Sequence, residues 1–149
     1  MPSRHLSRRR ALQLLYECDM RQISPEDAMR DYYHTLYTEE NDMLPPPDPF
    51  MEQMLYGAFQ EQEQLDALIT RRSENWKLER MPVVDRNLLR LAAWELLRTD
   101  TPPAVVIDQA IELARRFSGD ESARFVNGVL DAMRKGEEIA GRAGGSLGE

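Results

Sequence analysis

Two groups of residues in this sequence could bind an anion, and both contain arginine. The first ten residues carry four arginines: Arg4, Arg8, Arg9 and Arg10. Much later, the dipeptide Arg124-Phe125 places a guanidinium beside a large aromatic ring. Recognition of unpaired RNA combines phosphate contacts from cationic side chains with stacking of bases on aromatic rings. The two groups together therefore predict an RNA-binding surface, although they lie far apart in the sequence.

Each of these groups also has an ordinary structural interpretation. Phe125 begins an apolar stripe and could be a core residue, and Arg124 could form a surface ion pair with Glu121 within one helical turn. The first ten residues with their four arginines, called here the arginine arm, could be a solvated, frayed terminus. Residue types alone leave both interpretations open.

The distribution of charge favours local binding of a polyanion. The net charge of −7 argues against a general nucleic-acid binder. However, the first ten residues contain no acidic side chain, and the remaining chain has 15 basic and 26 acidic residues. A basic arm on an acidic body would bind RNA at one place and repel it elsewhere.

The sequence contains no pattern typical of catalysis, a metal site or a cofactor site. Cys18 is the only cysteine, and a single thiol on an apolar helix face is usually buried and inert. His5 and His34 lie in unrelated segments without metal-ligand spacing. No phosphate-binding glycine loop or nucleophile motif occurs. We therefore predict a protein that is not an enzyme. No apolar run reaches the roughly 20 residues that span a bilayer, so we expect a soluble cytoplasmic protein.

Apolar spacing predicts an all-α fold of six or seven helices. Ser24-Pro25 and Asp48-Pro49 are strong helix starts, and Gly119 is a typical helix end. The proline-rich segment from Thr38 to Pro49 is predicted to be a loop. The predicted helices cover about 3–23, 25–37, 49–72, 83–99, 103–118 and 120–135.

Several details of packing can also be predicted. The helix that begins after Pro82 is apolar on more than one side and should be central. Gly57 suggests a close helix contact or a bend, and Gly128 suggests that a neighbour, the first helix, packs closely against the last one. Trp76 should be buried, and either Asp120 or Ser122 should cap the last helix. We expect two helical halves, 1–78 and 79–136, followed by a disordered tail, 137–149.

Three segments resemble the transcription antitermination factor NusB family. RRRALQLLYE is similar to the family's R-x-x-A-L-Q-x-L-Y segment. NWKLERMPVVDRNLLRLAAWELL resembles its N-W-x-L-x-R-[LM]-x-x-[VL]-[DE]-R-x-[IL]-L-R-[LI]-A-x-x-E-L segment. AVVIDQAIELARRFSGDESARFVNGVLD resembles V-x-I-[ND]-E-A-[IV]-E-L-A-K-x-[FY] followed by K-F-V-N-G-V-L-D. The matches occur in the right order between Arg8 and Met133, and the last two are long and specific.

This resemblance implies a compact bundle in two three- to four-helix halves and no enzymatic activity. It implies binding of boxA RNA together with NusE, a ribosomal small-subunit protein, and action on the transcription elongation complex at ribosomal RNA operons. Carried over by position, the RNA-binding residues would be Arg4, Arg8, Arg124 and Phe125. Arg9 and Arg10 occupy positions where relatives often have an acidic or small residue; we include them among the RNA-binding residues, but they could instead lie at a dimer interface. The partner-binding residues would be Tyr16, Asp85 and Glu121.

A second hypothesis is a helical protein–protein interaction module that binds no RNA. A homodimer could bury the arginine arm and the surface of the last helix. The sequence does not distinguish a monomer from a homodimer.

Overall fold

The structure, a computed structural model, describes residues 3–40, 46–74 and 76–136, with the backbone alone for 36–40. In these ranges the chain forms seven α-helices and one short 3-10 helix, and no strand. The predicted all-α fold is therefore confirmed. The helices are α1 (Arg4–Arg21), α2 (Pro25–Glu40), α3 (Pro49–Gln60), α4 (Gln62–Arg72), α5 (Val83–Arg98), α6 (Pro103–Ser118) and α7 (Asp120–Lys135), with the 3-10 helix Leu78–Arg80 before α5.

Short polar side chains begin the first three helices, as their sequences predict. The Oγ of Ser3 accepts the Leu6 N–H at 3.1 Å, and the Oγ of Ser24 accepts the Asp27 N–H at the same distance. Asp48 caps α3. The predicted cap of α7 is wrong, because neither Asp120 nor Ser122 caps it. Gly119 precedes the helix with φ +101°, a conformation that favours glycine, and no side chain caps the free N–H groups.

The segment predicted as one helix up to about Arg72 is two helices, α3 and α4, that meet at Glu61. The Glu61 carboxylate accepts hydrogen bonds from Trp94 Nε1 at 3.1 Å and from Arg98 of α5. These contacts tie the junction to α5. The close contact predicted at Gly57 is confirmed, since a Cβ there would lie 2.3 Å from the Trp94 ring.

Helix α5 is central, as predicted. It packs against α1, α3, α4, α6 and α7, and every residue from Asn87 to Leu96 is buried. The polar side chains of α5 form hydrogen bonds to neighbouring helices: Arg86 and Arg90 donate to Asp19 of α1, and Arg90 also donates to Asp66 of α4. Burial would raise the pKa of Asp19, but the hydrogen bonds and charges of these arginines hold it below its usual range.

The last helix, α7, packs against α6, α5 and α4. The predicted stripe is confirmed at Val126, Val129, Leu130 and Met133, but Phe125, which was predicted to begin it, is only partly buried, and Ala123 is buried as well. The role predicted for Gly128 is wrong. This residue is exposed, nothing lies within 4 Å of a Cβ built on it, and α1 packs on α2, α3 and α5 instead.

The core does not separate the two predicted halves. One cluster of buried apolar residues draws on every helix from α1 to α7, and α1 and α4 pack directly on α5. The division into 1–78 and 79–136 stays a prediction. The predicted tail, 137–149, lies outside the described residues.

Candidate nucleic-acid and partner interface

Arg8 lies inside the protein, which argues against the predicted contact with RNA. Its Nε and Nη2 donate to Oε1 and Oε2 of Glu95 at 2.8 and 2.6 Å. The Arg8 side chain is 10% exposed, and that of Glu95 is 2% exposed. Two of its three guanidinium nitrogens are held by a buried carboxylate, and burial leaves little of the remaining donor surface open to a phosphate. Its role in this fold is to tie α1 to α5.

Arg10 is also neutralised by a buried carboxylate. Its Nη1 donates to Oδ2 of Asp48 at 3.0 Å, while Oδ1 accepts the Ser7 hydroxyl at 2.6 Å and the Met51 N–H at 3.2 Å. The Arg10 side chain keeps 25% exposure, and that of Asp48 keeps 2%. Arg10 therefore fastens α1 to the first turn of α3, with only part of its guanidinium open to solvent.

Arg4 is exposed and has an aromatic support that the sequence analysis missed. Its guanidinium carbon lies 3.9 Å from the centroid of the Phe50 ring, which is short for a cation–π contact. Phe50 is the second residue of α3 and packs partly on the core. The contact holds the guanidinium over the ring and leaves its N–H groups available.

Arg9 and Tyr16 line one groove of about 410 Å³, called here the Tyr16 groove. Sequence reasoning missed its α6 side, where Phe117 is 48% exposed and the Arg116 guanidinium lies 5.5 Å from its ring centroid. The groove thus joins apolar surface with two cations. Its lining residues are Arg9, Leu12, Gln13, Tyr16, Val84, Arg116 and Phe117.

Phe125 lines a second depression of about 470 Å³, called here the Phe125 cleft. Its ring packs partly on the core and meets the Trp76 ring edge-on, at 5.6 Å between centroids and 61° between planes. Trp76 is 51% exposed, so its predicted burial is wrong. The cleft is lined by Trp76, Met81, Pro82, Asp85, Ser118, Glu121, Ser122 and Phe125.

Two predicted partner-binding residues, Asp85 and Glu121, also line the Phe125 cleft. Asp85 is 2% exposed, and its Oδ2 accepts the Ser122 hydroxyl at 3.0 Å. Its Oδ1 has no hydrogen-bond partner among the described residues. Burial raises the pKa of this carboxyl, and the hydroxyl groups of Ser122 and Ser118 act in the opposite direction. Glu121 is exposed at the rim.

Arg124 is exposed beside the cleft, and no ion pair joins it to Glu121. Val84 and Phe117 line the Tyr16 groove, and the next residues along the chain, Asp85 and Ser118, line the Phe125 cleft. The structure thus places Arg9 and Tyr16 in one depression, and Asp85, Glu121 and Phe125 in the other. Arg4 lines neither depression.

Cys18 and the potential metal ligands of the described ranges are the other side chains that could take part in chemistry. Burial, the largest cause, and neighbouring carboxylates raise the pKa of Cys18 to about 11, which keeps the thiol protonated. In the described ranges, no three or more His, Cys, Asp or Glu side chains are placed to hold a metal ion. No helix found there is long and apolar enough to cross a bilayer.

Comparison with known proteins decides the family. The model of the NusB family matches residues 5–135. This chain belongs to the NusB family. A relative from Solibacter usitatus, named transcription antitermination protein NusB, is 50% identical over 135 residues, which cover 91% of this chain and 90% of the relative. The protein of the same name from Streptomyces griseus is 43% identical over 131 residues, which cover 87% of this chain and 90% of that protein.

Solved NusB structures have the same fold. T. maritima NusB aligns with a TM-score of 0.80 and 31% identity, over 96% of this chain and 98% of that one. A chain from a structure of the antitermination factors NusB and NusE in complex with dsRNA aligns with a TM-score of 0.74 and 26% identity, over 89% and 96%. The NusB family consists of transcription antitermination factors and not of enzymes, which agrees with the prediction.

Proposed function

We propose that this protein is an RNA-binding antitermination factor that binds boxA-type RNA jointly with NusE. In this proposal it acts in the cytoplasm on the transcription elongation complex and supports transcription of ribosomal RNA operons. The observation that carries the proposal is that residues predicted to bind RNA and residues predicted to bind the partner line the same two depressions, the Tyr16 groove and the Phe125 cleft. It is supported by the structural neighbour solved with NusE and dsRNA.

These depressions favour joint binding because each one contains a residue predicted to bind RNA and at least one residue predicted to bind the partner protein. Arg9 shares the Tyr16 groove with Tyr16, and Phe125 shares its cleft with Asp85 and Glu121. Because Asp85 is buried, a partner protein would contact Tyr16 and the exposed Glu121, next to an RNA on the cations and the aromatic ring. Each ligand could then contact the other, which is a physical source of positive coupling.

The number of available cations limits RNA affinity in the absence of the partner. Arg8 and Arg10 are paired with buried carboxylates, which leaves Arg4, Arg9 and Arg124 as the predicted phosphate contacts. Three contacts to single-stranded RNA correspond to a slope of log affinity against log salt of about −2. We expect weak binding alone and tighter binding with NusE.

The proposal is tested by anisotropy titration of a labelled boxA RNA, with and without NusE, across roughly 50 to 200 mM salt. Joint binding predicts a higher RNA affinity in the presence of NusE. Equal affinities with and without NusE would refute the joint part. Failure to bind RNA under either condition would refute the proposal as a whole.

Matched variants locate the interaction on the protein. Arg124→Gln should weaken RNA binding and make the salt slope shallower by about 0.7, whereas Arg134→Gln, an exposed arginine further along α7, should change neither. Phe125→Leu keeps apolar packing and removes the ring, so it should weaken RNA binding. Glu121→Gln should weaken NusE binding more than RNA binding.

The homodimer hypothesis makes a different prediction for the same samples. A stable dimer that buries the arginine arm would give twice the chain mass in light scattering, and RNA would not alter it. That result, combined with absence of RNA binding, would favour the protein–protein module.

A further inference from the structure

We infer that Trp76 and Phe125 together hold one unpaired RNA base in the Phe125 cleft, with Trp76 as the main stacking surface. The inference rests on the proposed RNA binding and adds to it a residue and a ligand class. Its first support is exposure: of the two tryptophans in the chain, Trp94 is buried, whereas Trp76 is 51% exposed although it touches Phe125. The exposed part of Trp76 is apolar surface at the edge of a concave site, and covering it with a stacked ligand would be favourable.

The geometry of the two rings suits a single base. Ring planes at 61° form the two walls of a corner, so a base stacked on the open face of one ring meets the other ring at its edge. The cleft volume of about 470 Å³ exceeds that of one nucleobase and also has space for part of its ribose. The two rings touch each other, so the base would stack on the corner and not between parallel rings.

The chemistry of the cleft favours a nucleobase over an apolar side chain. Asp85 lines the same cleft, and its buried Oδ1 has no hydrogen-bond partner among the described residues. A buried acceptor without a donor is costly, and every nucleobase carries an N–H group that could supply one after a small shift of the carboxylate. An apolar occupant would leave the acceptor unsatisfied.

Two exposed cations adjoin the two rings in the sequence and could bind the phosphates that flank a stacked base. Lys77 follows Trp76 and Arg124 precedes Phe125, and both are exposed. Neither cation forms an ion pair with another residue in the described part of the chain. Phosphates on either side of a stacked base could form ion pairs with these cations.

The test uses the full chain and the two signals that Trp76 offers. The other tryptophan, Trp94, is 5% exposed and donates to Glu61, so a change of tryptophan emission on RNA addition would report Trp76. Loss of one base–aromatic stack should weaken RNA binding about 5- to 150-fold in Trp76→Leu. Trp76→Phe should keep most of the affinity because it keeps a stacking face. Phe59→Leu, an exposed aromatic residue at the end of α3, serves as the matched control and should change nothing.

The possible outcomes separate this inference from the proposed function. It is supported if RNA alters the emission of the wild type, Trp76→Leu loses that response and the affinity, and thermal unfolding is unchanged. It is overturned if Phe125→Leu weakens RNA binding while Trp76→Leu does not. It is also overturned if NusE alone produces the emission change and Trp76→Leu weakens NusE binding, because a partner side chain then occupies the cleft. Absence of RNA binding by the wild type overturns the proposed function and this inference together.

Discussion

Replacing Arg8 with Met leaves the Glu95 carboxylate in the core without its counter-charge. The guanidinium and the carboxylate face each other through two hydrogen bonds of 2.8 and 2.6 Å, with side-chain exposures of 10% and 2%. The surroundings are apolar: Met54, Leu88 and Leu91 line the same small cavity. Removal of one member of a buried pair costs about 3–5 kcal/mol, since the remaining charge is neither hydrated nor paired.

The expected loss is large enough to measure by thermal or urea unfolding. About 4 kcal/mol corresponds to a decrease of about 12 °C in the unfolding midpoint of a chain of this size. The double variant Arg8→Met/Glu95→Leu should recover most of the loss, because an apolar pair can replace a buried ion pair at little cost. Arg9→Met is the matched control. It changes the neighbouring arginine, which lines an open groove, and should cost no more than about 0.5 kcal/mol.

One result would refute this reasoning. If Arg8→Met were as stable as Arg9→Met but lost more RNA affinity, Arg8 would face the RNA and not Glu95. The buried Arg8–Glu95 pair would then be wrong, and the RNA-binding role that the family resemblance implies for Arg8 would be correct.

Further predictions concern two glycines and two titratable groups. Gly57→Ala should destabilise the fold by about 1–3 kcal/mol because its Cβ would meet the Trp94 ring. Gly128→Ala should stabilise the fold by about 0.5–1 kcal/mol, because its Cβ would meet nothing and alanine favours the helix. Urea unfolding measures both changes, and equal effects of the two substitutions would contradict the packing described for these glycines. Asp85→Asn should stabilise the fold by about 1 kcal/mol at pH 7. The raised pKa of Asp85 means that its ionisation opposes folding, so this gain should shrink as the pH falls below the pKa of the native carboxyl; a gain that grows in acid would contradict the sign. Cys18, with its pKa of about 11, should resist iodoacetamide at pH 8 in the folded protein and react after unfolding.

The helix boundaries that follow from local chemistry could be predicted from the sequence. Asp48-Pro49 starts α3, and Gly119 separates α6 from α7, because capping and positive φ depend on a few adjacent residues. The break at Glu61 could not be predicted, since it involves Trp94 and Arg98, more than 30 residues away.

The same limit applies to single residues of the candidate site. Arg8 and Arg9 are adjacent cations of identical type, yet one is buried against Glu95 and the other lines a groove. Consecutive helix residues point about 100° apart, and only the packing of α1 on α5 decides which of them faces the core. Trp76 was assigned to the core for a related reason: its size suggests burial, but the position of its ring depends on α7.

The pairing of the arm arginines explains how an acidic protein could bind RNA selectively. Of the four arginines in the first ten residues, Arg8 and Arg10 neutralise buried acids and fix α1 to α5 and α3. Half of the arginines in the arm therefore serve the fold, and the two that remain are too few to form a strong binding site for a polyanion. Few free cations on a chain of net charge −7 would bind arbitrary RNA weakly. Selective binding must then come from contacts that depend on unpaired bases, such as those in the Phe125 cleft, and from a partner protein whose own charges complete the phosphate contacts.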